Sequence, residues 1–503
     1  MTDRRRLIVH GGAVLSSDAE QVVDADLLIE DGMIAQIRDR GHGEDPFAGV
    51  DAARLDARRR LVAPGFVNGH THSHTGILGG IARDWTLEHS LINGPWTGAE
   101  RSVELTRISA LLVATELVAS GCTALFDLVY RFPDVDADGF LATAEAYRDV
   151  GVRATLAPMV ADRSLYEALP ALASCGHPAT AAASSLPAAA DIIAACAGLI
   201  ERWPHDRTML APAVAPTIPA HCSDELLAGL DRLARETGVR LHMHLAESKP
   251  QARAGAQRYG RSITAELDAR GMLRPGVTVA HAVWIDGADA RLLAAGGVDV
   301  VTVPGSNMRL GSGLQDSRAL LEAGATLAVG TDGANSADAL DMLHAVQLTS
   351  SVSHVFDRPA HEWLTPGEVL RAATAGGAAA VGLGELTGRI APGYAADLVF
   401  WDLGAAAFTP GIDLVNQIVT AARAGHVRTV MVDGRIVVDD AVVTGVDVSR
   451  LRDRAAELCE EYFAAATPRR AAAGEAAAAA RDVLAAQRRL PWTPERLLPA
   501  SSD

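Results

Sequence analysis

Over most of its length the chain alternates short apolar runs with longer segments in which apolar residues recur at helical spacing. The runs lie at 61–67, 123–128, 153–159, 209–215, 239–245, 277–283, 298–303 and 326–331. Each has the length of a buried strand. Between them, segments such as 108–118 and 225–236 repeat their apolar residues every three or four positions, the second with a charged outer face. Eight strand–helix units predict an α/β fold, a (β/α)8 TIM-type barrel in which helices cover a parallel sheet. A doubly wound open sheet would normally carry a glycine-rich phosphate loop after its first strand. Here the first strand runs into histidines instead.

The two ends have a different texture. Residues 7–62 contain short β-rich pieces, among them Leu7-Ile8-Val9, Asp26-Leu27-Leu28-Ile29 and Met33-Ile34-Ala35, separated by Gly and Asp turn signals. The same texture returns at 397–441, where the run 427–432 is followed by an Asp433-Gly434 hairpin signal. The ends are expected to complete one small β-sandwich domain together. The predicted division is 1–62 and 386–445 for its two halves, 63–385 for the barrel and 446–503 for a helical C-terminal extension. Two alanine-rich stretches, 171–198 and 464–487, approach low complexity and carry no recognisable chemistry. The first reads as a loop and helix outside the barrel; the second belongs to the extension, a candidate for part of a subunit contact.

Composition narrows the function. With 49% hydrophobic and 21% charged residues in 503, the chain can bury an ordinary globular core. A net charge of −17 repels phosphate backbones and anionic lipid, so neither nucleic acid nor a membrane is an expected partner, and a small-molecule substrate is. No uncharged apolar stretch reaches the ~20 residues that cross a bilayer. Five scattered cysteines, none in a CxxC spacing, argue against a disulfide framework or a thiolate zinc site and fit a reducing cytoplasm.

The candidate chemistry sits at strand ends. Pro64-Gly65-Phe66-Val67-Asn68-Gly69-His70-Thr71-His72 carries a strand into a His-x-His pair, whose i, i+2 spacing turns both imidazoles to one side. Two neutral imidazoles at a barrel's C-terminal mouth form half a metal site. The fifth run holds a second such pair, His242 and His244, with Glu247 three residues on. His244, nearer the mouth, is assigned to the metal, and His242, one layer deeper, reads as a hydrogen-bonded core residue. The sixth run ends in His281 and the eighth leads to Asp332. Polar groups at the ends of strands one, five, six and eight converge where barrel enzymes keep their active sites.

In these motifs, and in Ser306-Asn307-Met308-Arg309-Leu310-Gly311-Ser312-Gly313, Gly330-Thr331-Asp332-Gly333 and the late segment 388–398, the chain resembles the amidohydrolase superfamily in its branch of aromatic deaminases and chlorohydrolases. Two-metal members bridge their ions with a carbamylated lysine on the fourth strand. This chain has one lysine, Lys249, just past the fifth, and the run 209–215 offers no ligand. The resemblance therefore implies one divalent ion per chain held by His70, His72, His244 and Asp332, a donor set that suits Zn2+ and admits Fe2+ or Mn2+. It also implies that Asp332 receives the proton of the attacking water, that Glu247 protonates a ring nitrogen, and that His281 orients the reacting groups. Glu247 has a bland alternative as a helix cap.

The function implied is hydrolytic deamination of a purine-, triazine- or pyrimidine-like amine with release of ammonia. The alternatives are hydrolysis of a cyclic amide or imide and dechlorination. Trp85, in the long loop at 75–101, stacks on a flat substrate or packs the loop down; Ser306 and Asn307 are candidate substrate contacts. Guanine-type and pterin-type deaminases tend to carry an arginine past the fourth strand, where this sequence has Pro216-Thr217-Ile218-Pro219. The resemblance also implies a homo-oligomer.

Overall fold

A computed structural model describes residues 6–40, 45–130, 135–176, 186–337 and 339–497. Residues 177–185 of the first alanine-rich stretch and 498–503 of the extension lie outside them. Eight strands form one parallel sheet in chain order: β1 (Phe66–Thr71), β2 (Cys122–Tyr130), β3 (Arg153–Val160), β4 (Leu210–Pro216), β5 (Arg240–Leu245), β6 (Val277–His281), β7 (Asp299–Thr302) and β8 (Thr326–Val329). Strands β1, β6 and β7 are buried at every position, because helices cover the outer face while side chains fill the inside. The sheet curls until its ends meet. Thr71 bridges Asp332, and the Asp332 amide donates to the His70 carbonyl at 2.9 Å. Gly330 allows that approach, since a Cβ there would stand 3.0 Å from the His70 backbone nitrogen.

One expected strand is two. The apolar run at 61–67 takes in most of the strand Arg60–Pro64, which pairs antiparallel with Leu398–Asp402 in the other sheet, and the start of β1. Gly65 separates them; a side chain there would come within 2.1 Å of Thr123. Hydropathy does not mark this boundary because both strands are buried. The chain-end domain is a curled sheet of ten strands, six from residues 6–64 and four from 398–443, closed around Val14, Leu27, Ile29, Val62, Leu398, Phe400 and Met431. Its Asp433-Gly434 turn joins Val427–Val432 to Arg435–Asp439 with positive φ at both turn residues.

Two helices matter to the site. Leu87–Thr97, capped by Thr86 and His89, lies in the long loop after β1. The extension is a 42-residue helix, Val448–Arg489, capped by Asp447. It packs on Leu87–Thr97, where the Tyr462 hydroxyl donates to the Trp96 carbonyl at 2.7 Å, and its far end returns to the mouth of the barrel. No helix among the described residues is long and apolar enough to cross a membrane.

Candidate metal centre and active site

The strand ends bring six predicted side chains together. The Nε2 atoms of His72 and His244 lie 3.2 Å apart, and Asp332 Oδ1 is 3.2 Å from His72 Nε2 and 3.8 Å from His70 Nε2. On the other side His281 Nε2 is 4.0 Å from Asp332 Oδ2 and 3.4 Å from Glu247 Oε2. Ligands at ~2.1 Å from a tetrahedral ion stand about 3.4 Å from one another, so these spacings fit a divalent ion. Among the described residues, His70 Nε2, His281 Nε2 and Glu247 Oε1 are buried without a hydrogen-bond partner, as donors reserved for an ion or substrate are.

The opposite ring nitrogens explain why Nε2 faces inward. His72 Nδ1 meets the Leu128 carbonyl at 2.9 Å, His244 Nδ1 the Thr217 carbonyl at 2.7 Å, and His281 Nδ1 the Asn307 Oδ1 at 2.9 Å. A carbonyl only accepts, so each of these rings carries its hydrogen on Nδ1 and leaves the Nε2 lone pair for the centre. His70 Nδ1 lies 3.2 Å from Nε2 of His242, which is buried one layer deeper against Phe126. For His70 to ligate through Nε2, its Nδ1–H must donate to His242.

Burial, then the neighbouring imidazoles, holds His70 well below the usual histidine range and takes His244 down to about 3, so neutral rings are available to a cation. Burial raises Asp332, but His72 and His281 outweigh it and keep the carboxyl ionised. Glu247 goes the other way: burial, reinforced by the charges of Asp332 and Glu88, pushes its carboxyl well above the usual range. Cap duty for the helix Lys249–Tyr259 falls to Ser248, not Glu247. Two carboxyl groups beside one centre are thus shifted in opposite directions. His281 and Asp332 sit at φ +71° and +63°, left-handed conformations that cost non-glycine residues about 1–3 kcal/mol and that aim them inward.

The outer candidates sort differently. Trp85 stands edge-on to Trp96, 6.2 Å between centroids, in a cluster with Ala466 and Phe463 of the C-terminal helix, so its ring packs the loop down. Asn307 orients His281, and Ser306 is buried beside Asp332. Sequence reasoning missed three supports. Asn68 ties β1 to β8 through Thr331, at 2.7 and 3.1 Å, and its i−2 spacing from His70 was the signal. Asp127 accepts from the Ser73 amide at 2.9 Å and the Tyr147 hydroxyl at 2.7 Å, fixing the turn after His72. Glu88, buried in the mouth helix, bonds Ser248 and lines a cavity with Trp284 and Ser312. A second cavity opens beside His74, between Arg101, Tyr130 and Met159.

Residues 61–437 match the amidohydrolase family. The chain is 31% identical over 460 residues, 91% of its length and 99% of the relative's, to a 5′-deoxyadenosine deaminase of Methanopyrus kandleri. It is 32% identical over 441 residues, 86% of its length and 93% of the relative's, to a 5-methylthioadenosine/S-adenosylhomocysteine deaminase of Thermococcus kodakarensis. Among solved structures it resembles a zinc-bound adenosine deaminase from Xanthomonas campestris at a TM-score of 0.81, with 25% identity and coverage of 91% and 98% of the two chains. A zinc complex of an atrazine chlorohydrolase from Arthrobacter aurescens follows at 0.78, with 25% identity and coverage of 90% and 99%. With a match this long, and relatives this similar over nearly their whole length, the chain belongs to the amidohydrolase family, metal-dependent hydrolases of carbon–nitrogen bonds other than peptide bonds.

Proposed function

We propose that this chain hydrolytically deaminates the adenine ring of an adenosine-type nucleoside, using one zinc ion held by His70, His72, His244 and Asp332. The observation that carries the reading is Glu247, a buried carboxyl kept protonated 3.4 Å from His281 Nε2, where a ring nitrogen must gain a proton before its neighbouring carbon is attacked. A zinc ion held there would supply Lewis acidity that makes a water more acidic, with pKa towards about 7. Asp332, ionised beside His72 and His281, takes the proton that the water loses and later returns it to the departing ammonia. His281, fixed by Asn307, orients the attack.

The nucleoside assignment rests on the relatives named for adenine nucleosides and on the cavity near Glu247, where Glu88, Ser248 and Ser312 offer polar groups to a substituent on the ring. Past β4, Thr217 gives its carbonyl to His244 and no arginine follows, which argues against a guanine-type carbonyl. The five unpaired cysteines support a cytoplasmic setting. A homo-oligomer is part of the same reading, and light scattering on the eluting protein tests it; a monomer overturns it.

The deciding experiment is ammonia release by the zinc-loaded chain from adenosine, 5′-deoxyadenosine, 5′-methylthioadenosine, guanine and aminotriazines. Turnover confined to the adenine nucleosides is expected. Chloride release from a chlorotriazine, with no ammonia from any adenine compound, would replace deamination by dechlorination, the second reading that the chlorohydrolase likeness favours.

A further inference from the structure

The reacting side chains are closed off. Glu247 is 1% exposed, Asp332 5% and His244 7%, so a substrate reaches them only after something at the mouth moves. Two elements lie over that face. The helix Leu87–Thr97 is pinned from above by the long C-terminal helix, with Trp96 fully buried and its carbonyl bonded to Tyr462. The segment 488–497, which starts in the last turn of that long helix and runs on beyond it, is held more lightly. Pro491, Thr493 and Glu495 are exposed, and the segment is attached by polar contacts and by Trp492 and Leu497, which are only partly buried against the core.

Those contacts join the loops after three successive barrel strands. After β5, Lys249 Nζ pairs with Glu495 Oε2 at 2.7 Å and Arg253 donates to the Pro491 carbonyl at 2.9 Å. After β6, Arg496 donates to the carbonyls of Val283 and Ile285, both at 3.1 Å. After β7, Arg488 donates to the Gly311 carbonyl at 2.8 Å and the Leu314 amide donates to the Arg496 carbonyl at 3.0 Å. Arg488 and Leu497 then wall the cavity that Glu88, Ser248, Trp284 and Ser312 line. Glu88 is one of the charges acting on Glu247, which ties this cavity to the acid.

We propose that residues 488–497 are an intramolecular strap that closes the mouth over the active site and forms one wall of the substrate pocket, so that substrate is admitted when the strap lifts and the strap limits the bulk it can carry. Lys249, the only lysine of the chain, is the latch. It is 5% exposed, its ammonium 4.8 Å from the Trp284 ring and capped by Glu495. Breaking the strap's contacts frees it.

The single lysine makes the strap measurable without turnover. The full chain, zinc-loaded, is treated with an amine acetylating reagent beside an unstructured lysine peptide, and modification of Lys249 is followed by peptide mass spectrometry. Closure predicts acetylation at least about tenfold slower than the peptide's, as for a group that reacts only through an opened minority state. Arg496→Ala, which leaves the Lys249–Glu495 pair in place, and Glu495→Gln are both expected to speed it. If Lys249 reacts at the peptide's rate in the unaltered chain, or if neither variant changes its rate while both stay folded by circular dichroism, the proposal fails. A second arm rests on the deaminase reading: Arg496→Ala should raise kcat/KM for nucleosides with a bulky 5′ substituent relative to adenosine, and an unchanged ratio overturns the pocket-wall role. Loss of ammonia release from every nucleoside, with the acetylation pattern as expected, would instead overturn the deaminase reading and support strap closure.

Discussion

At the scale of single residues, one environment shifts two carboxyl groups in opposite directions. The imidazoles around Asp332 hold its carboxyl down, whereas burial, reinforced by neighbouring carboxylates, pushes that of Glu247 up. Replacing Glu247 by Gln should leave the metal bound, by elemental analysis, and lower ammonia release by about 10²–10⁴-fold, the usual worth of a positioned proton donor. Undiminished release would remove Glu247 from the acid role. The pH dependence has a fixed sign. A carboxyl raised by burial keeps its proton below its raised pKa and loses it as pH climbs through that value, so kcat/KM should carry an alkaline limb that this group sets. Asp332→Asn should cost activity by orders of magnitude, because a ligand and the proton carrier are altered together, and normal turnover in that variant would exclude the mechanism.

Between elements, the joint from barrel to chain-end sheet is a buried ion pair. Arg153 on β3 donates to Asp397 at 2.8 and 3.2 Å and to Asp433, in the hairpin turn, at 2.9 Å, with Arg153 and Asp397 both almost wholly buried. Arg153→Met should lower unfolding free energy by about 3–5 kcal/mol in urea titration, since it strands the Asp397 carboxylate without its partner. Adding Asp397→Leu should recover part of that loss. A cost below about 1 kcal/mol, the range of an exposed pair, would show that the pair adds little at this joint.

Over the whole molecule, metal and fold are linked. An ion that binds the folded chain alone adds about 4 kcal/mol when present at a thousand times its dissociation constant, so chelation should lower the melting temperature and zinc should restore it. The metal-free protein should also lose stability as pH falls below the ordinary histidine value of 6.5. Burial depresses His70, His74, His242 and His281, His221 is taken to about 4 and His244 to about 3. A depressed pKa means that the unfolded chain binds more protons, so the stability is present above 6.5 and is lost as pH drops through the lowered values. A flat profile between pH 7 and 5 in the chelated protein would contradict it.

Local pattern sufficed for the barrel and for the centre. Strand periodicity set His70 and His72 on one face, the same spacing set His242 behind His244, and the strand ends located His281 and Asp332, because those relations depend on a few consecutive residues. Pairing decided what pattern could not. The run at 61–67 divides between two sheets at Gly65, where Thr123 from another strand leaves no room for a side chain. Asn307 serves His281 across 26 positions, Glu88 meets Ser248 across 160, and Glu495 reaches Lys249 across 246. Such contacts, including the strap over the mouth, exist only once the chain has closed on itself. The sequence by itself therefore determined which residues stand at the strand ends of the candidate centre, and the tertiary structure decided which ring nitrogens face inward, how the carboxyls are shifted and what covers them, because these depend on burial and on groups brought in from distant parts of the chain.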